Sequence, residues 1–487
     1  PKLPALTNAT YNTGNHQSFM DGSPVVGEAK VGGVNDADAA SAWKSVLVSG
    51  TGGGGQGVFA LDITDPDAFD ASKVMWEFTD RDDPDMGNVV GRPQILKFRI
   101  SGSGATATYK WFAVVPSGVN NYVSDGNFST TGRPALFLLD LGKPNNTAWA
   151  LGTNYYKISF PFNSTVGATR ATGLANFKVT GGPADEVALI YAGDLHGNMW
   201  KLDFTLSPGF ADWNSATYSA DLAIDKLSPF KSTASPFHAI PLFIAKDGSG
   251  NVQPITMEPT LVRGPAGGVV LSFGTGKYME STDNVVNSST QVQSVYSIFD
   301  NNSATADASS PTAIISGKGR LQAGSVNSSG VLTTGAFMWG RPTSDGDSTQ
   351  RSGWYFNFSS AGERQISGFA VFGNKLVFGS VIPPDAVADA CGSGTGYQYS
   401  VNISTGNGSR EVSQVGLLGE PFVLEVGDAN VSISDSTGRR RKTTTGQIIL
   451  QGSTGLKAIS TQPTDQSLVG RLSWRQINNY QDLRNAP

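Results

Sequence analysis

LIYAGDLHGNMWKLDF, residues 189–204, decides the fold. Two apolar runs flank a turn that carries glycine and asparagine, and the second run closes on Asp203. Apolar runs of about four to eight residues separated by a glycine turn read as a β-hairpin. The same form recurs on both sides. Upstream stand SVLVSGTGGGGQGVFALDIT, Ser45–Thr64, and the pair WFAVVPSG and ALFLLDL between Trp111 and Leu141. Downstream, VLSFGTGKYM (Val270–Met279) is answered by SVYSIFD (Ser294–Asp300), and KLVFGSVIPP (Lys375–Pro384) by GYQYSVNIST (Gly396–Thr405).

One hairpin cannot bury its apolar face alone, so the copies must stack, radially as a propeller or linearly as a solenoid. They lie roughly 60 to 100 residues apart, beyond the period of about 20–50 residues expected of a solenoid. That spacing suits a propeller with decorated blades. Single strands at Lys73–Phe78, Arg92–Phe98, Pro259–Val262 and Gly353–Phe358 would complete the blades. The polar insertions Phe210–Ser235, Asn301–Gly340 and Asp428–Thr445 are expected to be surface loops. Asp36–Trp43 is expected to form a short helix with Asp36 as its N-cap.

Composition agrees with an all-β chain. The 487 residues include 59 glycines, and only 15% are charged. A hydrophobic content of 39% supports a sizeable core and argues against general disorder. The formal net charge of −5 does not suggest a surface built throughout for nucleic acid. Basic residues cluster only at Arg439, Arg440, Arg441 and Lys442, which read as a solvated loop or as a contact for DNA or another polyanion. The single cysteine, Cys391, excludes a disulfide within the chain; either its partner lies elsewhere or it is buried and inert. No apolar run is long enough to span a bilayer. The chain begins at Pro1 rather than Met and reads as a processed or truncated piece of something longer.

Few constellations suggest chemistry. Gly50–Gly55 satisfies GxGxxG, but a strand follows where a dinucleotide fingerprint needs a helix, so the glycines read as a flexible hairpin turn. His16, His196 and His238 stand apart with no metal-ligand spacing, and His196 is expected to be an exposed turn residue. Asp80, Asp82, Asp83 and Asp85 could offer oxygen ligands to calcium, though Pro84 makes a simple turn an equal reading. Ala60–Trp76 resembles one tryptophan-docking repeat of the quinoprotein dehydrogenases. The lone cysteine and the lack of a clear second repeat argue against that enzyme class, leaving Trp76 as blade packing.

Taken in order, several segments closely resemble the C-terminal propeller domain of the PilY/PilC family of type IV pilus proteins. They are DGSPVVGEAKV from Asp21, AWKSVLVSGTGGGGQGVFALDITDP to Pro66, WEFTDRDDPDMGNVVGRPQIL, the 189–204 hairpin, FGTGKYMESTDN, SVYSIFD, GWYFNF with GERQIS, and RLSWRQI. The resemblance runs from about His16 to about Ile477. It implies a modified seven-bladed β-propeller with long decorated loops, over 1–487 as one domain, the C-terminal part of a longer secreted protein. It implies an adhesin and assembly factor at the pilus tip or outer membrane of a Gram-negative bacterium. Such a protein promotes pilus biogenesis, opposes retraction, and supports surface attachment, twitching motility and DNA uptake. Minor pilins and a host or abiotic surface receptor would be its partners, and no catalytic or cofactor residues are implied. A secreted quinoprotein-like oxidoreductase on the same fold is the alternative.

Many relatives carry a calcium loop immediately before the AGDL hairpin. Here the equivalent, Thr180–Ala188, keeps only Asp185 and Glu186 as acidic residues, too few for a cation that wants six to eight oxygens, so the site is not carried over. Gly470–Ile477 alternates apolar and polar residues and is expected to close the blade ring, with Leu472, Trp474 and Ile477 buried.

Overall fold

The computed structural model describes residues 18–124, 126–161, 171–205, 223–231, 238–287, 289–301, 315–342, 344–384, 394–425, 430–433, 440–458 and 464–469, with Thr7. Strands β1 (Val25–Val31), β2 (Ala42–Gly50), β3 (Gly57–Asp62) and β4 (Val74–Thr79) form an antiparallel meander in sequence order. A second follows from β5 (Gln94–Ser101) and β6 (Thr108–Pro116), then, after the short β7 (Gly118–Val119), β8 (Ala135–Asp140) and β9 (Tyr155–Ser159). The third contains β10 (Gly173–Gly181), β11 (Val187–Asp194), β12 (Asn198–Asp203) and β13 (Phe243–Ile244), with β7 added at its β10 edge.

The fourth meander is β14 (Thr260–Arg263), β15 (Val269–Gly274) and β16 (Ser294–Asp300), completed by β21 (Gly353–Asn357). The connection before β21 carries β17 (Gln322–Val326), β18 (Val331–Thr334), β19 (Met338–Trp339) and β20 (Gln350–Arg351). The fifth is β22 (Ala370–Phe372), β23 (Lys375–Gly379), β24 (Tyr397–Asn402) and β25 (Gly408–Val412). Beyond it, β28 (Arg440–Gly452) pairs with β26 (Phe422–Glu425), β27 (Asn430–Ile433), β29 (Gly455–Ala458) and β30 (Thr464–Val469). The fold is thus all-β and propeller-like.

All five sequence hairpins pair as antiparallel strands: β2 with β3, β6 with β8, β11 with β12, β15 with β16, and β23 with β24. Their apolar runs are nearly continuous because both sheet faces are covered. Along β8, Leu136 and Leu138 enter the cluster shared with the third meander, whereas Ala135, Phe137 and Leu139 enter the one shared with the first. On β11, Ile190 and Ala192 face one way and Leu189 and Tyr191 the other, toward the fourth meander. Successive residues of a strand point to opposite faces, so a strand between two cores needs apolar residues at every position. Each fully buried Leu or Phe contributes about 1.5–3 kcal/mol.

The aspartates that close the hairpins have a common local use. Asp62, Asp140, Asp203 and Asn402 end the third strand of their meanders, and each accepts a hydrogen bond from the backbone N–H two residues on. This is the Asx turn, which ends a strand by offering the backbone a side-chain partner.

Several expectations need correction. Asp36–Trp43 is not a helix: Asp36–Ala40 is a run of turns, and Trp43 lies in β2, paired with Lys30 of β1. Eight residues make a marginal helix, and strand pairing outcompetes it. The Asn301–Gly340 insertion supplies β17, β18 and β19 rather than loop alone. Within Phe210–Ser235, helix α1 (Ala223–Leu227) and the residues after it reach the core, with Ile224, Leu227 and Phe230 fully buried. Asp428–Thr445 includes β27 and the first part of β28. The expected closing segment Gly470–Ile477, with Leu472, Trp474 and Ile477, lies outside the described residues, as do His16 and Cys391.

Candidate binding face

In each meander the turn between the second and third strands leaves at the same end as the linker to the next meander. One end of the fold therefore gathers the described residues of the turns that follow β2, β6, β11, β15 and β23, among them 51–56, 195–197, 275–287, 380–384 and 394–396, with the linkers between meanders.

The glycine string at Gly50–Gly55 belongs to this end and is braced rather than loose. The Gly53 N–H donates to Asp21 Oδ1 at 2.6 Å, and Asn88 Nδ2 donates to the carbonyls of Gly52 and Gly55 at 3.0 and 2.9 Å. A side chain at Gly54 would meet the Phe19 carbonyl oxygen at 2.0 Å, so the composition answers close backbone approach.

The acidic linker Asp80–Asp85 faces a lysine. Lys157 Nζ lies 2.9 Å from Asp83 and 2.7 Å from Asp85, and the Tyr155 hydroxyl donates to Asp83 at 3.1 Å. Burial works against the charge on Lys157, but Asp83 and Asp85 outweigh it and hold its pKa above the ordinary range. Burial, then the Asp83 charge, pushes the Tyr155 phenol strongly upward. The ammonium occupies the place that a cation would take between these carboxylates.

Asp185 and Glu186 lie at the opposite end, in the turn from β10 to β11. Asp185 has φ of +59°, and Glu186 Oε2 accepts the Ala184 N–H at 2.8 Å. Both residues thus shape a tight turn. The basic run is also relocated. Arg440, Arg441 and Lys442 are in strand β28, paired with β27 and β30, and are not in a loop; Arg439 lies outside the described residues. The overlooked signal is the β-branched run Thr443–Thr445, which carries the strand onward.

His196 is buried, at 5% exposure, contrary to the expected exposed turn. The linker to the fourth meander covers the hairpin tip: the Ala245 N–H donates to the Gly197 carbonyl at 2.8 Å and the Ile255 N–H to the Asp194 carbonyl at 3.0 Å. His238 is exposed beside Asp225 at 3.4 Å. Trp76 is blade packing, buried and edge-on to Trp149 at 5.3 Å. Among the described residues no group of three or more His, Cys, Asp or Glu is placed to hold a metal ion.

Two of the quoted segments, FGTGKYMESTDN and GERQIS, meet on this face and enclose a cleft of about 290 Å³. Leu195, Pro254, Lys277, Glu280, Asp283 and Arg364 line it, among others. Arg364 is pinned between the turns of the fourth and fifth meanders. Its backbone exchanges hydrogen bonds with Val381 at 2.9 and 2.8 Å. Its Nε donates to the Gly362 carbonyl at 3.0 Å and its Nη1 to the Lys277 carbonyl at 2.8 Å. Gly276, with φ of +137°, lets this approach happen, since a Cβ there would stand 2.5 Å from that of Arg364. Lys277 pairs with Glu280 and Asp283, each at 2.8 Å, while the other Asp283 oxygen caps the N–H groups of Met279 and Glu280. Burial lowers the pKa of Arg364, with Asp283 opposing. Val90, Val123, Phe128, Met279, Val285 and Val292 add exposed apolar side chains to the same face. Sequence reasoning gave neither Lys277 nor Arg364 a role. The available signal was charge set among glycines in two separate segments.

Near this end Lys318 contributes a second unusual cation. Its Nζ lies over the Tyr355 and Tyr296 rings at 4.9 and 5.5 Å and contacts Asn357 Oδ1 at 3.0 Å. Burial lowers its pKa from 10.5 to about 8, with Asp247 opposing. From pH 8 to 10.5 the unfolded chain binds more protons at this residue than the folded one, so the Lys318 contribution to stability rises with pH. Denaturant titrations should show wild type gaining stability relative to Lys318→Met between pH 8 and 10; a constant difference would refute the shift.

Comparison with known proteins adds lineage to this geometry. The family model for the PilY1 beta-propeller domain matches residues 1–331. Type IV pilus biogenesis factor PilY1 of Pseudomonas aeruginosa (strain UCBPP-PA14) is 30% identical over 501 residues, covering 98% of this chain and 39% of that protein. A PilY1 homolog of Xylella fastidiosa (strain Temecula1) is 28% identical over 446 residues, covering 89% of this chain and 26% of that protein. The solved C-terminal domain of Pseudomonas aeruginosa PilY1 shares the fold, with a TM-score of 0.57 and 23% identity over 92% of this chain and 86% of that one. The chain spans well under half the length of these two curated relatives.

Proposed function

The chain belongs to the PilY1 family, and from that premise we propose that it is the propeller-like domain of a type IV pilus biogenesis factor that works by binding rather than by catalysis. The observation that carries this reading is identity sustained over 98% of the chain with a protein named as such a factor. In the finer reading the domain is secreted, stands at the pilus tip or outer surface, and engages minor pilins and a surface receptor. There it promotes biogenesis, opposes retraction, and supports attachment, twitching and DNA uptake. The cleft with its apolar rim is the surface offered to partners. The strand Arg440–Lys442 stays a candidate for weak polyanion contact, with Arg439 beside it in sequence.

Deletion of the gene in its own host tests the reading. Surface pili counted by electron microscopy and twitching zones should both fall at least severalfold and return on complementation. Wild-type pilus numbers in the deletion strain would overturn the proposal.

A further inference from the structure

We propose that the cleft at Arg364 binds a small acidic monosaccharide unit, a uronic or sialic acid, with the ligand carboxylate on the guanidinium. The inference rests on the reading of this end as the binding face and names a ligand class for it.

Size sets the first limit. A volume of about 290 Å³ lies at the lower edge of small-molecule sites, which run from about 300 to 1,000 Å³. It suits one six-membered ring with substituents and excludes a helix or a strand with its side chains.

Charge sets the second. Lys277 is already paired with two carboxylates, Glu280 and Asp283, and both oxygens of Asp283 are occupied. Arg364 differs. It is 5% exposed, two of its nitrogens are spent on carbonyls, and among the described residues no carboxylate lies within ion-pair distance of it. A guanidinium carries five N–H donors in a planar fork. The two carbonyl bonds use two of them and fix the fork. The Nη2 donors stay available in the wall of the cleft, set for a carboxylate. Asp283 supports this buried charge only from beyond ion-pair distance, and a carboxylate in contact with the guanidinium adds to that support.

Polar lining sets the third. Gln291 Nε2 donates to Asp247 Oδ2 at 2.9 Å and to the Val252 carbonyl at 3.0 Å, which fixes its Oε1 as an acceptor. Gln293 must then turn its Nε2 toward that oxygen, at 3.3 Å. The orientation leaves Gln293 Oε1, in a side chain 8% exposed, with no donor among the described residues. That oxygen is closed off from solvent behind the cleft wall, so a ligand hydroxyl reaches it once the amide turns outward. Thr282 and Thr290 line the same cleft, and the Thr290 hydroxyl also accepts the Asn287 N–H at 2.9 Å. A ring that bears one carboxylate and several hydroxyls meets all three conditions. A bare carboxylate leaves the glutamine wall unused, and a neutral sugar leaves Arg364 unpaired.

The test is isothermal titration of the purified chain with methyl glucuronide and N-acetylneuraminic acid, using methyl glucoside and acetate as controls. Saturable binding of at least one acid sugar with Kd below about 1 mM is expected, with both controls at least tenfold weaker. Arg364→Lys should weaken the acid sugar at least tenfold, because a point charge cannot hold two carbonyls and a carboxylate together. Thr282→Trp narrows the cleft from its exposed rim, leaves the Arg364 bonds alone, and should abolish binding at an unchanged melting temperature. No saturation by either acid sugar, equal binding of the glucoside, or undiminished binding in a folded Thr282→Trp chain would each overturn the proposal. Piliation is read by the deletion strain alone, so loss of this inference leaves the family reading standing, and the reverse.

Discussion

Replacement of Lys201 by alanine is expected to lower the unfolding free energy by about 3–5 kcal/mol. Lys201 on β12 places Nζ 2.7 Å from Asp300 Oδ2 at the end of β16, and both side chains are enclosed, at 0% and 1% exposure. The Tyr191 hydroxyl donates to the same carboxylate oxygen at 2.5 Å. The pair joins the third meander to the fourth. Its net worth is small, since two ions must leave water to form it. Removing one partner is the costly event, because the other charge stays buried. The triple variant Lys201→Met, Asp300→Leu, Tyr191→Phe should recover much of the loss, as the three groups that bond one another are then removed together. Urea denaturation checks both. A single variant within about 1 kcal/mol of wild type would show that water or relaxation rescues the carboxylate.

The second large effect is expected at Asp194, inside the hairpin that identifies the fold. Its carboxylate is 1% exposed and takes four hydrogen bonds. The His196 N–H donates at 2.9 Å, the Asn198 N–H at 3.0 Å, Asn198 Nδ2 at 2.8 Å and Trp200 Nε1 at 2.9 Å. Asp194→Ala leaves those donors without their acceptor beneath a covering linker. Each buried unsatisfied donor costs about 1–3 kcal/mol, and partial relaxation brings the expected total to about 3–4 kcal/mol. Asp194→Asn keeps one acceptor oxygen but turns an NH₂ toward a donor, so it should fall between. Denaturation followed by Trp fluorescence reads the change. An alanine variant as stable as wild type would mean the carboxylate is not what holds the turn.

These two residues show where sequence reading stops. The hairpin is legible at Leu189–Phe204 because alternation, glycine and a closing aspartate all point the same way. The bond from Trp200 to Asp194 is not, since any strand–turn–strand sequence is compatible with an exposed tip. His196 was misplaced for that reason: the linker 245–255 that buries it is some fifty residues away. The strands β17 and β18 escape the sequence because β17 alternates half-buried with exposed residues, β18 alternates buried with exposed ones, and both lack the apolar run that marks a covered strand. The cleft was invisible for another reason. Arg364 and Lys277 come from different meanders, and no spacing announces that a carbonyl of one will receive the guanidinium of the other. The acidic linker looked open to calcium because Lys157 is remote in sequence from Asp83.

The strands β17 and β18 carry one more implication. β17 runs parallel to β21 and β18 antiparallel to β25, so ten strands from β14 to β22 form one hydrogen-bonded sheet. Elsewhere in the described chain, adjacent meanders meet chiefly through interdigitated side chains, an arrangement that permits small sliding displacements. Across the fourth and fifth meanders the backbone itself is continuous in its hydrogen bonding. Those two meanders are a single stiff plate rather than two leaves. Arg364, whose carbonyl partners and backbone bridges span the same pair, therefore sits where two meanders are tied by main-chain hydrogen bonds as well as by side-chain packing.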